Sequence, residues 1–159
     1  MTKRYWLFKS EPSTYSLDDL ERDTSTFWDG IRNYQVRNLF RDDVQRGDAV
    51  LFYHSSCKVP AAVGLAKVVG LAEPDPTQFD PNAKYYDAGS KRDDPRWLGV
   101  TIEFVSRFAR PVPLEDLKSD DRFDTMLLVQ RGQRLSVQPV DKAHFDAIVK
   151  MGSKATKKS

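Results

Sequence analysis

Ala49-Val50-Leu51-Phe52-Tyr53-His54 is a nearly unbroken apolar run preceded by the turn Gln45-Arg46-Gly47-Asp48. A strand with no polar face belongs in the middle of a sheet or barrel. After a loop at residues 58–60 comes Ala61-Ala62-Val63-Gly64-Leu65-Ala66-Lys67-Val68-Val69-Gly70, a second strand of small residues. The two read as an antiparallel pair, with Gly64 marking a bend or the close approach of another backbone. Upstream, Tyr5-Trp6-Leu7-Phe8-Lys9 is a short strand buried on at least one face and stopped at Ser10-Glu11-Pro12. Downstream, Val100, Ile102 and Phe104 alternate with Thr101, Glu103 and Val105 in a long strand that ends near Arg110-Pro111.

Helices fill the gaps. Ser16 reads as the N-cap of a short helix beginning Leu17-Asp18-Asp19-Leu20, with its acids near the positive end of the dipole. Residues 34–43 place Val36, Leu39 and Phe40 on one helical face and Arg37, Arg41 and Asp42 on the other, with Asn33 as cap. Pro113 opens a short helix at 114–118. Asp141 caps a last one at 142–151, which docks through Phe145, Ile148 and Val149 and ends at Gly152. The tally is five or six strands, mostly antiparallel, with four short helices, and no internal repeat. We expect an α+β fold on a curled sheet or barrel.

The 159 residues suffice for one core and not for two. The expected organisation is one domain over 1–152 and a basic disordered tail over 153–159. No apolar run approaches a membrane span and none resembles a secretory signal near Met1, so a cytoplasmic protein without membrane contact is expected. Cys57 is the only cysteine, which excludes an internal disulfide. Of the net charge of +2, Lys154, Lys157 and Lys158 in the tail supply three, so the body stands near −1. Such a body has no global field to attract phosphates, and any nucleic-acid binding must come from a local basic patch with a specific pocket.

The stretch Phe27-Trp28-Asp29-Gly30-Ile31-Arg32-Asn33-Tyr34 holds a large ring, a carboxylate, a glycine hinge and an amide ahead of a helix. That inventory suits a flat polar molecule: Trp28 offers a stacking face open to solvent and Asn33 a base-reading amide. The structural alternative is a core or staple tryptophan. Aromatic and basic residues also interleave at strand ends and loops: Lys9, Ser10, His54, Ser55, Tyr85, Tyr86, Lys91, Arg96, Trp97, Arg131 and Arg134. Trp6 and Trp97 read as core. A loop of about 20 residues from Glu73 to Asp94 is unusual in so small a domain and tends to be functional. Catalysis by Ser10 with Glu11, or by His54 with Ser55, Ser56 and Cys57, lacks any surrounding motif, since neighbours on a strand point to opposite faces. Only His54 and His144 are available to a metal, with no ligand spacing around them. We therefore expect no catalytic residue, no metal and no cofactor.

Tyr5-Trp6-Leu7-Phe8-Lys9-Ser10-Glu11-Pro12, the segment Trp28-Asp29-Gly30-Ile31-Arg32-Asn33-Tyr34-Gln35-Val36-Arg37-Asn38, Phe52-Tyr53-His54-Ser55-Ser56-Cys57, Asp94-Pro95-Arg96-Trp97 and Arg134-Leu135-Ser136-Val137-Gln138-Pro139 resemble the EVE domain, in one order along the chain. The resemblance implies a PUA-like fold, a curled mixed sheet with helices around it, related to the YTH readers of methylated adenine. It implies a pocket for a modified base, with modified cytosine in DNA proposed for some members. By the same likeness Lys9 and Ser10 would edge the pocket and Trp28 would form one cage wall, while no second cage tryptophan aligns and Tyr85 or Tyr86 would stand in for it. The expected nucleobase pocket comprises Lys9, Ser10, Trp28, Asp29, Asn33 and Tyr34, together with Tyr53, His54, Ser55, Tyr85 and Tyr86. The backbone would be held by Arg32, Lys91, Arg96, Arg131 and Arg134. The expected partner is modified DNA or RNA. The alternatives are a sensor of a nucleoside-like small molecule and a hydrolase of the PUA-like group.

Overall fold

The computed structural model describes residues 3–132 and 135–153. Its strands are β1 (Tyr5–Ser10), β2 (Ser25–Trp28), β3 (Ala49–His54), β4 (Ala61–Pro74), β5 (Leu98–Pro113) and β6 (Val137–Pro139). The helices are α1 (Leu17–Asp23), α2 (Tyr34–Asp42), α3 (Leu114–Lys118) and α4 (Lys142–Ser153). The strands form one sheet in the order β2-β5-β4-β3-β1-β6. It is mixed and does not close: β1 and β3 run parallel and the remaining pairs antiparallel.

The apolar run at 49–54 occupies the middle of this sheet, between β4 and β1. Its side chains alternate between two cores, because successive residues on a strand point to opposite faces. Val50 and Phe52 join Trp6, Phe8, Leu17, Leu20, Trp28, Val36 and Phe40 on one face. Leu51 and Tyr53 join Leu7, Leu117, Phe123, Phe145 and Ile148 on the other. So α1 and α2 cover one face, and α3 and α4 the other. Each fully buried Leu, Val or Phe contributes roughly 1.5–3 kcal/mol.

Register slips between β4 and β5 at Ala62/Gly64, Leu65/Ala66, Val68/Gly70 and Gly70/Glu73 curl the sheet, since each bulge sharpens the local twist. Gly64 sits at one of them. A Cβ there would meet the Leu17 side chain and the Ser106 carbonyl at 2.6 Å, so α1 can seat against the sheet only over a glycine.

Local side-chain chemistry starts two of the four helices. Ser16 and Asp19 form a reciprocal capping box on α1, and Asn33 Oδ1 accepts from Val36 N at the start of α2. Three features depart from the sequence reading. β2 is a strand, drawn in by pairing with β5. β6 forms from residues 137–139 alongside β1. Gly152 lies inside the last turn of α4, pressed against the Phe108 ring, and the helix continues to Ser153. The tail residues 154–159 lie outside the described residues.

A buried carboxylate ties the start of the chain to the sheet. Asp48, 2 % exposed, accepts from Arg4 N at 3.0 Å, Trp6 Nε1 at 2.9 Å and Gln45 N at 2.9 Å. Removing it would strand these donors, so Asp48→Ala is expected to cost about 3 kcal/mol in urea unfolding.

Candidate functional site

Because β1 and β3 are parallel, with Ser10 opposite His54, both strands end at the same edge of the sheet. There they meet the end of β2 and the turn that follows it. A hollow of about 790 Å³ opens between them. Trp28, Phe27 and Ile31 supply apolar lining; Tyr15, Tyr85, Lys9, Ser10, Glu11 and Asp29 also line it, with Ser55, Ser56 and Ser136.

Trp28 is less open than its position ahead of a helix suggests. It is 9 % exposed, held in an aromatic cluster by Phe8 at 5.4 Å, Phe52 at 5.7 Å and Tyr15 at 6.3 Å between ring centroids. It is a core residue with a narrow surface facing the hollow.

The opposite side is built by the turn after β2. Gly30 adopts φ +78°, and a Cβ there would lie 2.7 Å from the Tyr85 ring. Tyr85 can thus close over this turn only because residue 30 is a glycine. Fully buried Asp75 accepts from Gly30 N at 2.8 Å, Thr77 N at 2.8 Å, Thr77 Oγ1 at 2.6 Å and Arg32 Nη1 at 3.0 Å. Burial alone would raise this carboxyl, but the bonds from Thr77, Gly30 and Arg32 outweigh it and hold the group below its ordinary value. Arg32 also donates to the Tyr85 carbonyl through Nε and Nη2, with its guanidinium 5.5 Å from the ring centres of Tyr85 and Trp97.

The rest of the long loop is organised in the same way, by polar groups rather than by a core, Gln78 buried and Asp87 partly exposed. Gln78 donates to the carbonyls of Asp75 and Trp97 and accepts from Ser90 Oγ and Trp97 N. Asp87 takes Trp97 Nε1 at 2.7 Å, Gly89 N and Arg96 Nη1. The Trp97 bond is the foremost reason its carboxyl lies low.

Of the residues named from sequence, Lys9, Ser10, Trp28, Asp29, Ser55 and Tyr85 come together at the hollow. Five others do not line it. Asn33 is exposed and spends its carbonyl oxygen on the α2 cap. Tyr34 stacks on Trp97 at 4.8 Å. Tyr53 packs on the other face of the sheet. His54 Nε2 accepts from Leu17 N at 3.1 Å, tying the imidazole to the start of α1. Tyr86 is 43 % exposed on the loop.

Among the expected phosphate ligands, Arg32 and Arg96 are paired with Asp75 and Asp87. Lys91 is exposed on the loop, and Arg131 stands at a different hollow. Arg134 lies outside the described residues. Sequence reasoning missed Tyr15, Thr26 and Ser136 as lining and Asp75 as organiser; only Asp75, directly before Pro76, had a local signature, that of a turn cap.

Three groups at the hollow are displaced from their ordinary values, among them the Tyr15 hydroxyl, which burial raises. Partial burial lowers the Lys9 ammonium. Asp29 is raised, first by desolvation and then by the nearby Asp75 charge. Among the described residues no three His, Cys, Asp or Glu side chains gather as a metal would require, and no helix is long and apolar enough to cross a membrane.

The open, curled six-stranded sheet flanked by helices is the PUA-like architecture. The family model described as EVE domain matches residues 4–151. Mouse thymocyte nuclear protein 1 is 42% identical over 92% of this chain and 73% of its own length. A solved structure of human THYN1 protein in complex with 5-methylcytosine-containing DNA superposes with a TM-score of 0.89 at 39% identity, covering 97% of this chain and 100% of that one. A Pseudomonas syringae protein structure superposes with a TM-score of 0.88 at 43% identity, covering 92% and 98%. The chain belongs to the EVE domain family.

Two outcomes follow from the geometry. Arg32→Ala leaves buried Asp75 without its cation and is expected to cost about 3–5 kcal/mol in urea unfolding, with faster proteolysis between residues 75 and 97. His54 provides a pH test. Burial is the first cause holding its imidazole below the ordinary value, so the unfolded chain takes up that proton first as pH falls. The contribution of His54 to stability is complete above about 6.5 and is lost as pH falls from there through the lower folded value. The urea midpoint of the wild type should therefore drop more between pH 7 and pH 5 than that of His54→Gln.

Proposed function

We propose that the chain is a non-catalytic reader of modified cytosine in DNA, with the base seated in the hollow between Trp28 and Tyr85. The observation that carries this reading is the pairing of aromatic lining with one carboxyl, Asp29, whose proton affinity is raised. Cytosine presents an amino donor beside a ring-nitrogen acceptor. The Asp29 carboxylate would accept from that amino donor, and the Ser55 or Ser56 hydroxyl would donate to the ring nitrogen. Tyr85 supplies the stacking ring, a contact worth roughly 1–3 kcal/mol per base. The apolar flank of Phe27 and Ile31 suits a 5-methyl group. The THYN1 complex with 5-methylcytosine-containing DNA, on a domain of the same fold, supports the choice of base and polymer. His54 and Ser10 argue against chemistry, since each is tied to the backbone, His54 by Leu17 N and Ser10 Oγ by the Tyr15 carbonyl at 2.5 Å.

Extracting a paired base costs a few kcal/mol, so single strands or mispaired sites should bind better than intact duplex. The test is titration of single-stranded oligonucleotides carrying 5-methylcytosine, cytosine or thymine at one position. Thymine keeps the methyl group and replaces the amino group by a carbonyl. Tyr85→Ala should weaken binding of 5-methylcytosine by about tenfold, and Asp29→Ala should erase about tenfold of the preference over thymine. Equal wild-type binding of 5-methylcytosine and thymine, or an unchanged Tyr85→Ala variant, would overturn the reading. Trp28→Ala is not used, because emptying so much core is expected to cost about 3–5 kcal/mol of stability.

A further inference from the structure

Lys9, Ser55 and Ser56 form a ridge, and on its other side lies a second hollow of about 540 Å³. Strand alternation makes the division: Ser10 follows Phe8 onto the Trp28 face, while Lys9 shares the Leu7 and Tyr53 face. The ridge is held in an unusual backbone shape, with Ser56 at φ +52°, a region that residues other than glycine seldom enter. Leu114, Leu128 and Val129 give the second hollow an apolar flank. Lys118, at the end of α3, and Arg131, in the loop before β6, stand at its rim.

The charge there is one-sided. No Asp or Glu among the described residues lines this hollow. Among the described residues, Lys9, Lys118 and Arg131 enter no ion pair. This contrasts with Arg32, Arg96 and Arg107, which are all paired. Tyr53 is an independent pointer. It is 2 % exposed, and its hydroxyl has no hydrogen-bond partner among the described residues, yet it is not sealed from the hollow that it lines. A hydroxyl that opens onto the hollow without a partner among the described residues, beside cations with none there either, suits an anionic acceptor.

We propose that this second hollow is a phosphate subsite, which takes the phosphodiester adjoining the base seated between Trp28 and Tyr85. Lys118 and Arg131 supply its cations, the Tyr53 hydroxyl donates to a phosphate oxygen, and the apolar flank packs against the neighbouring sugar. Lys9 stands on the ridge common to both hollows and is the joint between them. The inference rests on the base-reading proposal for the neighbouring hollow and adds to it a binding register, with base and phosphate on opposite sides of one ridge.

The experiment is calorimetric titration of 5-methyl-2′-deoxycytidine, its 3′- and 5′-monophosphates, inorganic phosphate and a single-stranded 5-methylcytosine oligonucleotide. The proteins are the wild type, the double variant Lys118→Ala/Arg131→Ala and Tyr53→Phe. The double variant changes only exposed side chains, and Tyr53→Phe keeps the buried ring. In the double variant, oligonucleotide affinity should fall about tenfold, and the slope of log affinity against log salt should become shallower by about 0.7 to 1.4. Nucleoside binding should stay as in the wild type. One of the two monophosphates should exceed the nucleoside in the wild type and lose that advantage in both variants.

An unchanged oligonucleotide affinity and salt slope in the double variant would overturn the subsite and leave the base reading standing. Equal losses for nucleoside and oligonucleotide would also overturn it, because the residues would then act without regard to phosphate. Inorganic phosphate binding as tightly as the better monophosphate would assign the hollow to free phosphate and overturn the link to the polymer. A Tyr85→Ala variant that binds like the wild type while the double variant still loses affinity would sink the base reading and retain the phosphate site.

Discussion

The buried Asp75 carboxylate is the constraint on which the hollow depends. A charge with no solvent access is tolerable only when every lone pair finds a donor. Here the donors come from three places in the chain: Gly30 in the turn after β2, Arg32 just beyond it, and Thr77 in the long loop. Satisfying one carboxylate therefore fixes the distance between two segments far apart in sequence. Tyr85 is carried with the second segment and held by Arg32 through its carbonyl. The Tyr85 side of the hollow follows from that electrostatic demand, whereas Trp28 on the other side is held by hydrophobic packing.

Sheet topology supplies the other half. A parallel pair at the centre, β1 beside β3, brings two strand ends to one edge, where ligand-facing loops commonly gather. With side chains alternating between faces, adjacent residues on these strands serve different spaces. Ser10 and Lys9, or His54 and Tyr53, are neighbours in the chain and belong to opposite layers. The result is two hollows with a ridge between them, one with aromatic lining and carrying Glu11 and Asp29, the other ringed by unpaired cations. A near-neutral body can hold a polyanion in this way, with attraction confined to one rim.

Part of the charge on the remaining surface is consumed internally. Arg107 reaches Asp18 and Glu21 from β5 to α1, and Arg22, Arg41 and Arg122 bond acids close by in sequence. Such exposed pairs add little stability each, but they remove those arginines from competition for phosphate. Among the described residues Lys3, Arg46, Lys58, Lys91 and Arg110 also enter no ion pair, so what distinguishes a candidate phosphate ligand is its place at the rim of a hollow that no described acid lines.

The sequence by itself determined the strands β1, β3, β4 and β5, the four helices, the two caps at Ser16 and Asn33, and membership of the EVE family, because strand alternation, capping chemistry and long motifs are local properties of the chain. It also marked Lys9, Ser10, Trp28, Asp29, Ser55 and Tyr85, which converge on one hollow. It could not assign work to side chains whose partners lie far away. Asn33 reads equally as a base reader and as a cap until Val36 N is seen to claim it. Arg32 and Arg96 look like free cations until Asp75 and Asp87 are seen beside them. Whether β2 exists at all was decided by pairing with a strand more than seventy residues later. Burial and long-range pairing, which only the tertiary structure supplies, divide the polar residues between those that hold the fold and those left open to a ligand.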